Sequence, residues 1–182
     1  MQLPIFITGN AHKSRELCLH LGIELAHAHA DTVEIQSLDL MEVVAHKAKT
    51  AFVNLGGDTP VLVEDVGLTF AALGRLPGPF CKYFLQELGN DGLCRLLNDY
   101  PTRAARATVF FAYYDGHDLT TFTGSCEGEI VDAPRGDAGF GWDPIFIPTG
   151  ESQTWAEMSA AEQKRTSFRA LALAQLQTFL AP

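Results

Sequence analysis

The sequence predicts an α/β protein built on a mixed β-sheet. Three observations carry that reading. Apolar residues recur at helical spacing over residues 40–55 and again near the end of the chain. Two alternating segments, 106–114 and 119–131, meet at Asp115–Gly116 and read as a hairpin. Compact apolar strands at 3–8 and 61–65 are separated by helical segments, as crossover strands are. Hairpin and crossover strands together require a mixed sheet.

The elements follow in order. Residues 3–8 form a first strand, with Pro4 tolerated near its start. Asn10 is a good N-cap, and a helix is expected over 11–21. Residues 33–36 alternate apolar and polar as a short strand. Leu40, Val44, Ala48, Ala51, Phe52 and Leu55 mark a second helix, ended by Gly56–Gly57. The stretch 68–84 is rich in Gly and Pro and reads as loop at its start. A helix over 90–99 turns Leu93, Leu96 and Leu97 inward. Residues 134–148 are a glycine-containing loop, and Ser159 with Glu162 is a capping box. The final helical region carries Phe168, Leu171, Ala172, Leu176, Phe179 and Leu180 as one apolar stripe.

The chain has 182 residues, 47% of them hydrophobic and 19% charged, which suits one globular domain over 1–182 rather than disorder. A net charge of −9 argues against nucleic-acid polymers and anionic membrane surfaces as partners. It leaves room for a small anion bound by a few local cations. Cys18, Cys81, Cys94 and Cys126 show no CxxC spacing, so neither a zinc set nor a thioredoxin motif is expected. Four reduced thiols in a cytoplasmic protein is the expectation. The opening residues MQLPIFITGN lack a basic n-region, and no run of 18 apolar residues exists.

Five segments hold candidate chemistry. In Thr8-Gly9-Asn10-Ala11-His12-Lys13 a strand passes through a glycine turn into a helix start, where free N–H groups attract anions. Lys13 in the first turn opposes the helix dipole unless an anion is present; an ordinary capped helix with a solvated lysine is the alternative. In Val63-Glu64-Asp65-Val66-Gly67, alternation puts Asp65 on the face of Val61 and Val63, and Glu64 on the face of Leu62. Asp65, last before the loop, is the better candidate for metal ligand or general base; capping of the next loop is the alternative. Glu34 is a further carboxylate that could share a hard cation with Asp65, or be a solvated strand residue. Two prolines around Gly78 make a rigid turn that aims Lys82, or leaves it an exposed loop lysine. Phe140, Gly141, Trp142 and Asp143 combine aromatic faces with a carboxylate in a Gly-rich loop, which suits a nucleobase pocket better than a core cluster.

These motifs together resemble the inosine triphosphate pyrophosphatase (Ham1-like) family. TGNAHK (8–13), EIQ (34–36), VEDVGL (63–68), ALGRLPGPFCK (72–82), APRGDAGFGWDPIF (133–146), QTWAEMS (153–159) and SFRAL (167–171) occur in family order. The resemblance implies an elongated mixed sheet flanked by helices, in two lobes with a central cleft, and a homodimer. It implies Mg²⁺-dependent hydrolysis of inosine, deoxyinosine and xanthosine triphosphates to monophosphate and pyrophosphate. Carried over, Thr8 to Lys13 cradle the triphosphate, and Lys47 and Lys82 are further phosphate-side lysines. Glu34 and Asp65 are the metal positions, and Asp65 also activates water. Val66 contacts substrate beside it. Phe140, Gly141, Trp142 and Asp143 form the base pocket, and Arg169 reads the base. Hypoxanthine and xanthine present an O6 acceptor and an N1–H donor, whereas adenine reverses both. A donor at Arg169 and an acceptor at Asp143 therefore reject adenine by leaving buried groups unpaired. Rejection of guanine must rest on its 2-amino group.

The chain departs from the family pattern at its end. Gln163 stands where the family has a lysine, Lys164 is one residue late, and Phe168 replaces a histidine. Phe168 also falls on the apolar stripe. These departures leave open two other functions, a pyrophosphatase for another modified nucleotide and a nucleotide-binding module with weakened catalysis.

Overall fold

The computed structural model describes residues 2–33 and 35–181. The described residues form seven strands, β1 (Ile5–Ile7), β2 (His27–Ala28), β3 (Val61–Phe70), β4 (Pro77–Gly78), β5 (Ala104–Tyr114), β6 (Leu119–Ile130) and β7 (Phe146–Pro148). Five α-helices accompany them: α1 (Ala11–Leu21), α2 (Leu40–Asn54), α3 (Cys81–Arg95), α4 (Ala160–Arg165) and α5 (Phe168–Leu180). The sheet order is β2-β1-β3-β5-β6-β7, with β4 paired to β3. β1 runs parallel to β2 and β3, while β3–β4 and β6–β7 are antiparallel. The expected mixed α/β sheet is therefore present.

The chain divides into two compact units. The first comprises 1–66, 109–124 and 169–182. Its core packs Val44, Ala48 and Ala51 of α2 onto Val61 and Val63 of β3, Ile7 of β1 and Ala112 of β5. The second comprises 67–108 and 125–168. It buries Leu68 and Phe70 with Leu93, Cys94 and Leu97, and with Ile130, Ile145, Phe146 and Trp155.

Local signals explain most boundaries. The Asn10 carbonyl accepts the Ser14 N–H at the head of α1. Asp39 caps α2, its carboxylate accepting the N–H groups of Met41 and Glu42. Gly56 and Gly57 leave that helix at φ 98° and 77°, a region that glycine enters without a Cβ penalty. The Ser159–Glu162 capping box opens α4 as expected.

Four expectations are corrected. Val33, Ile35 and Gln36 lie outside any strand; the strand that joins this edge is β2, paired at Phe6 with His27 and at Ile7 with Ala28. A four-residue alternation has no face to bury there, and Val33 is 70% exposed. β3 does not stop at Asp65 but runs to Phe70, because Leu68 and Phe70 are fully buried and β4 pairs back onto Leu68 and Thr69. The helix read over 90–99 is the second half of α3, which starts at Cys81 and breaks at Gly89 (φ 64°, ψ 178°). The stripe of α5 keeps Ala172, Leu176 and Leu180 buried, but Leu171 is 57% exposed and Phe168 packs within the second unit.

None of the four cysteines is disulfide-bonded. Burial pushes the Cys94 thiol up to about 11, so it is protonated near neutrality. Among the described residues no helix is long and apolar enough to cross a membrane.

Two predictions arise from the packing. A Cβ on Gly128 of β6 would stand 2.2 Å from the Ile147 carbonyl oxygen and 2.5 Å from the Phe146 ring. Gly128→Ala should destabilise the protein by about 1–3 kcal/mol in denaturant titrations. In the β5–β6 loop the Asp115 carboxylate accepts the N–H groups of His117 and Asp118, at 2.9 and 2.8 Å. These bonds hold its pKa below the ordinary value of 3.8. The contribution is fully present above pH 3.8 and is lost as pH falls through the lowered folded value. Asp115→Asn should therefore flatten the acid limb of the stability–pH profile and leave the neutral region parallel to wild type.

Candidate active site

The site is organised by the middle of β3, at Glu64 and Asp65, within the first unit. Alternation puts successive side chains of a strand on opposite faces, so Glu64 and Asp65 diverge. Asp65 shares the α2 side with Val61 and Val63. There Lys47 of α2 donates to Asp65 Oδ2 at 3.2 Å and to the Glu64 carbonyl at 3.1 Å. The second Asp65 oxygen accepts the Val66 N–H at 2.9 Å. Both side chains of the Lys47–Asp65 pair are mostly buried, at 17% and 16% exposure.

Glu64 faces the other way. Arg169 of α5 donates Nη1 to Glu64 Oε2 at 2.5 Å. Lys13 of α1 places its ammonium 3.8 Å from Oε1. The Glu64 side chain is only 5% exposed, against 38% for Lys13 and 34% for Arg169. Among the described residues, three cations from three helices thus converge on two carboxylates of one strand.

The TGNAHK segment behaves as a strand-to-helix turn. Thr8 N–H bonds the Ala28 carbonyl at 2.9 Å, and Asn10 N–H bonds Thr8 Oγ1 at 3.1 Å. Gly9 follows β1, and Ala11, His12 and Lys13 form the first turn of α1. A Cβ on Gly9 would lie 3.1 Å from the His29 ring, so glycine admits that ring against the turn. Glu34 lies outside the described residues.

The remaining candidates belong to the second unit. Lys82 is not aimed by a loop; it sits in the first turn of α3, with its ammonium 5.7 Å from the Tyr83 ring centre. The aromatic loop is clasped from inside. Asp143 Oδ2 accepts the Phe140 N–H at 2.6 Å, and Asn90 donates to the Gly141 carbonyl at 3.0 Å. Gly139 (φ 85°) lets the clasp close, since a Cβ there would be 2.4 Å from Asp143 Oδ2. Phe140 is 79% exposed. Trp142 stacks against Phe168 at 6.2 Å and meets Trp155 at 5.7 Å.

Two of the departures from the family pattern, Gln163 and Phe168, fall into this aromatic cluster. Phe168 stacks on Trp155 at 5.4 Å. Gln163 donates to the Trp155 carbonyl at 2.6 Å, and Trp155 donates its indole N–H to Thr166 Oγ1 at 2.8 Å. Packing thus accounts for both Gln163 and Phe168, and Lys164 is exposed. Glu64, Asn90 and Trp155 are site or support residues that the motif reading passed over. Glu64 had a signal: it is a charge within an otherwise apolar strand, Val61 to Val66, broken only by its neighbour Asp65.

A mixed-sheet α/β chain that gathers cations around two carboxylates of a central strand, beside an anion-attracting helix start, is of the class that handles small phosphate-rich ligands. The comparisons make this specific. The Ham1 family model matches residues 4–179, and the chain belongs to that family. It is similar to inosine triphosphate pyrophosphatase 2 of Trypanosoma cruzi, 45% identical over 174 residues, covering 93% of this chain and 88% of that one. The dITP/XTP pyrophosphatase of Methanopyrus kandleri is 39% identical, covering 93% and 91%. A HAM1 protein from Coxiella burnetii superposes with a TM-score of 0.87 at 28% identity, covering 99% and 98%.

The clasp is testable. Asp143→Ala removes the acceptor for Phe140 N–H and should cost about 0.5–1.5 kcal/mol of stability. Tryptophan fluorescence should report a loosened Trp142 environment in the same variant.

Proposed function

We infer that this chain hydrolyses deaminated purine nucleoside triphosphates (ITP, dITP and XTP) to the monophosphate and pyrophosphate, clearing them from the nucleotide pool. The observation that carries the reading is the set of Lys13, Lys47 and Arg169 on the two adjacent carboxylates Glu64 and Asp65. The printed activities of the Trypanosoma cruzi and Methanopyrus kandleri relatives support it. The family model's span of 4–179 supports reading 1–182 as one such domain.

In this reading Thr8, Gly9, Asn10, Ala11, His12 and Lys13 hold the triphosphate, because the N–H groups at the head of α1 and the Lys13 ammonium attract its oxygens. Lys82 adds a second cation. Attack of water at the α-phosphorus builds charge on the equatorial oxygens and on the leaving pyrophosphate, and these fixed donors stabilise it. Asp65, with Val66 beside it, orients the water and accepts its proton. Lys47 fixes the orientation of the Asp65 carboxyl from the α2 side. Phe140, Gly141, Trp142 and Asp143 serve the base, and Arg169 supplies its O6 donor.

The partly exposed carboxylate of Asp65 offers hard oxygen donors, the kind Mg²⁺ takes together with phosphate oxygens and water. Asp65, with Glu34 by the family pattern, would hold that ion, which when bound supplies neutralisation of phosphate charge. A cytoplasmic homodimer completes the reading. Packing explains Gln163 and Phe168 without loss of the charged set, which favours an enzyme over a binding module.

The test is a nucleotide panel with and without Mg²⁺, assayed for both pyrophosphate and orthophosphate. Pyrophosphate from inosine triphosphate, dependent on the metal, is expected; orthophosphate as the product would refute the reading. Asp65→Asn should lower kcat by at least about 100-fold in a variant that still folds, as circular dichroism would report.

A further inference from the structure

We propose that Glu64 is a positioning residue for base selection, holding Arg169 and Lys13 in the conformations in which they meet substrate. This rests on the pyrophosphatase reading above and adds to it a residue with no role of its own there.

Burying a carboxylate is unfavourable unless cations answer it, and an apolar side chain of similar size would serve stability as well or better. Stability therefore does not explain a 5% exposed glutamate on a strand that is otherwise apolar up to Asp65. Its partners do. Arg169 lies 105 positions away in sequence and reaches Glu64 Oε2 through a short charge-assisted bond of 2.5 Å. Lys13 stands at 3.8 Å from Oε1, beyond hydrogen-bond distance, and Oε1 accepts no hydrogen bond among the described residues. The two cations are thus held differently. Arg169 is locked through Nη1, whereas Lys13 is drawn into place by charge with its ammonium donors not spent on Glu64.

The consequence follows from the geometry. An arginine is a long, flexible donor unless one edge of its guanidinium is fixed. Locked by Glu64, and still one-third exposed, Arg169 presents a donor that cannot turn aside. Hypoxanthine O6 accepts from such a donor; the adenine amino group opposes it. Release the lock, and Arg169 can rotate away from adenine, so the penalty for the wrong base shrinks.

The experiment compares kcat, KM and melting temperature for wild type, Glu64→Gln, Glu64→Asp, Arg169→Lys and the double variant Glu64→Gln/Arg169→Lys, with inosine and adenosine triphosphates. Glu64→Gln should raise KM for inosine triphosphate and reduce its kcat/KM preference over adenosine triphosphate by roughly 10- to 100-fold. Glu64→Asp should fall between. The double variant should be no less selective than Arg169→Lys alone, because both changes break one device. Wild-type selectivity in Glu64→Gln, or a lowered melting temperature with unchanged selectivity, overturns the proposal. If Glu64→Gln does not fold, Glu64→Asp decides: undiminished selectivity overturns the proposal, and partial loss upholds it. Wild type inactive on inosine triphosphate would overturn the functional reading and this proposal with it. Active wild type with selectivity indifferent to Glu64 would overturn this proposal alone.

Discussion

A carboxylate buried on a central strand has to be answered by cations, and that requirement organises the first unit. Glu64 has no solvent to share its charge, so Arg169 of α5 and Lys13 of α1 are drawn to it. Its neighbour Asp65 leaves on the opposite face, where Lys47 of α2 meets it. One strand thereby ties three helices into a defined arrangement through charge, in addition to the apolar packing of Val61 and Val63. Remove the alternation, and the two carboxylates would compete for the same partners.

The second unit solves a different problem, that of holding the glycine-rich aromatic turn that leads into β7. Backbone N–H and carbonyl groups in such a loop need side-chain partners. Asp143 and Asn90 supply them at Phe140 and Gly141. The aromatic rings of Trp142, Phe146, Trp155 and Phe168 give the loop a packed floor. Gln163 and Phe168 belong to this floor, so the positions that looked most foreign to the family pattern are structural solutions rather than gaps in the charged set.

Much of this was legible in the chain. Helical periodicity set α2, and the capping box set the start of α4, because both are local patterns with a local physical cause. Strand alternation alone separated Glu64 from Asp65. The short elements were not legible. β2 spans two residues, and β4 is a two-residue strand that exists only because it pairs with β3. Nor was the start of α3 at Cys81, since the prolines and glycine before it read as a continuous loop. Helical spacing marks Phe168 as a packing residue but does not distinguish the α5 stripe from the Trp142–Trp155 cluster that its ring joins.

The sequence by itself determined the fold class and the family and nominated the candidate site residues, since motifs and periodicity are written in neighbouring positions. Only the tertiary structure decided how those residues are paired. That Lys47 belongs to Asp65, and that Arg169 and Lys13 belong to Glu64, depends on which helix covers which face of β3. The reason is physical: charge pairing is set by distance in space, and residues 105 positions apart along the chain carry no local trace of meeting.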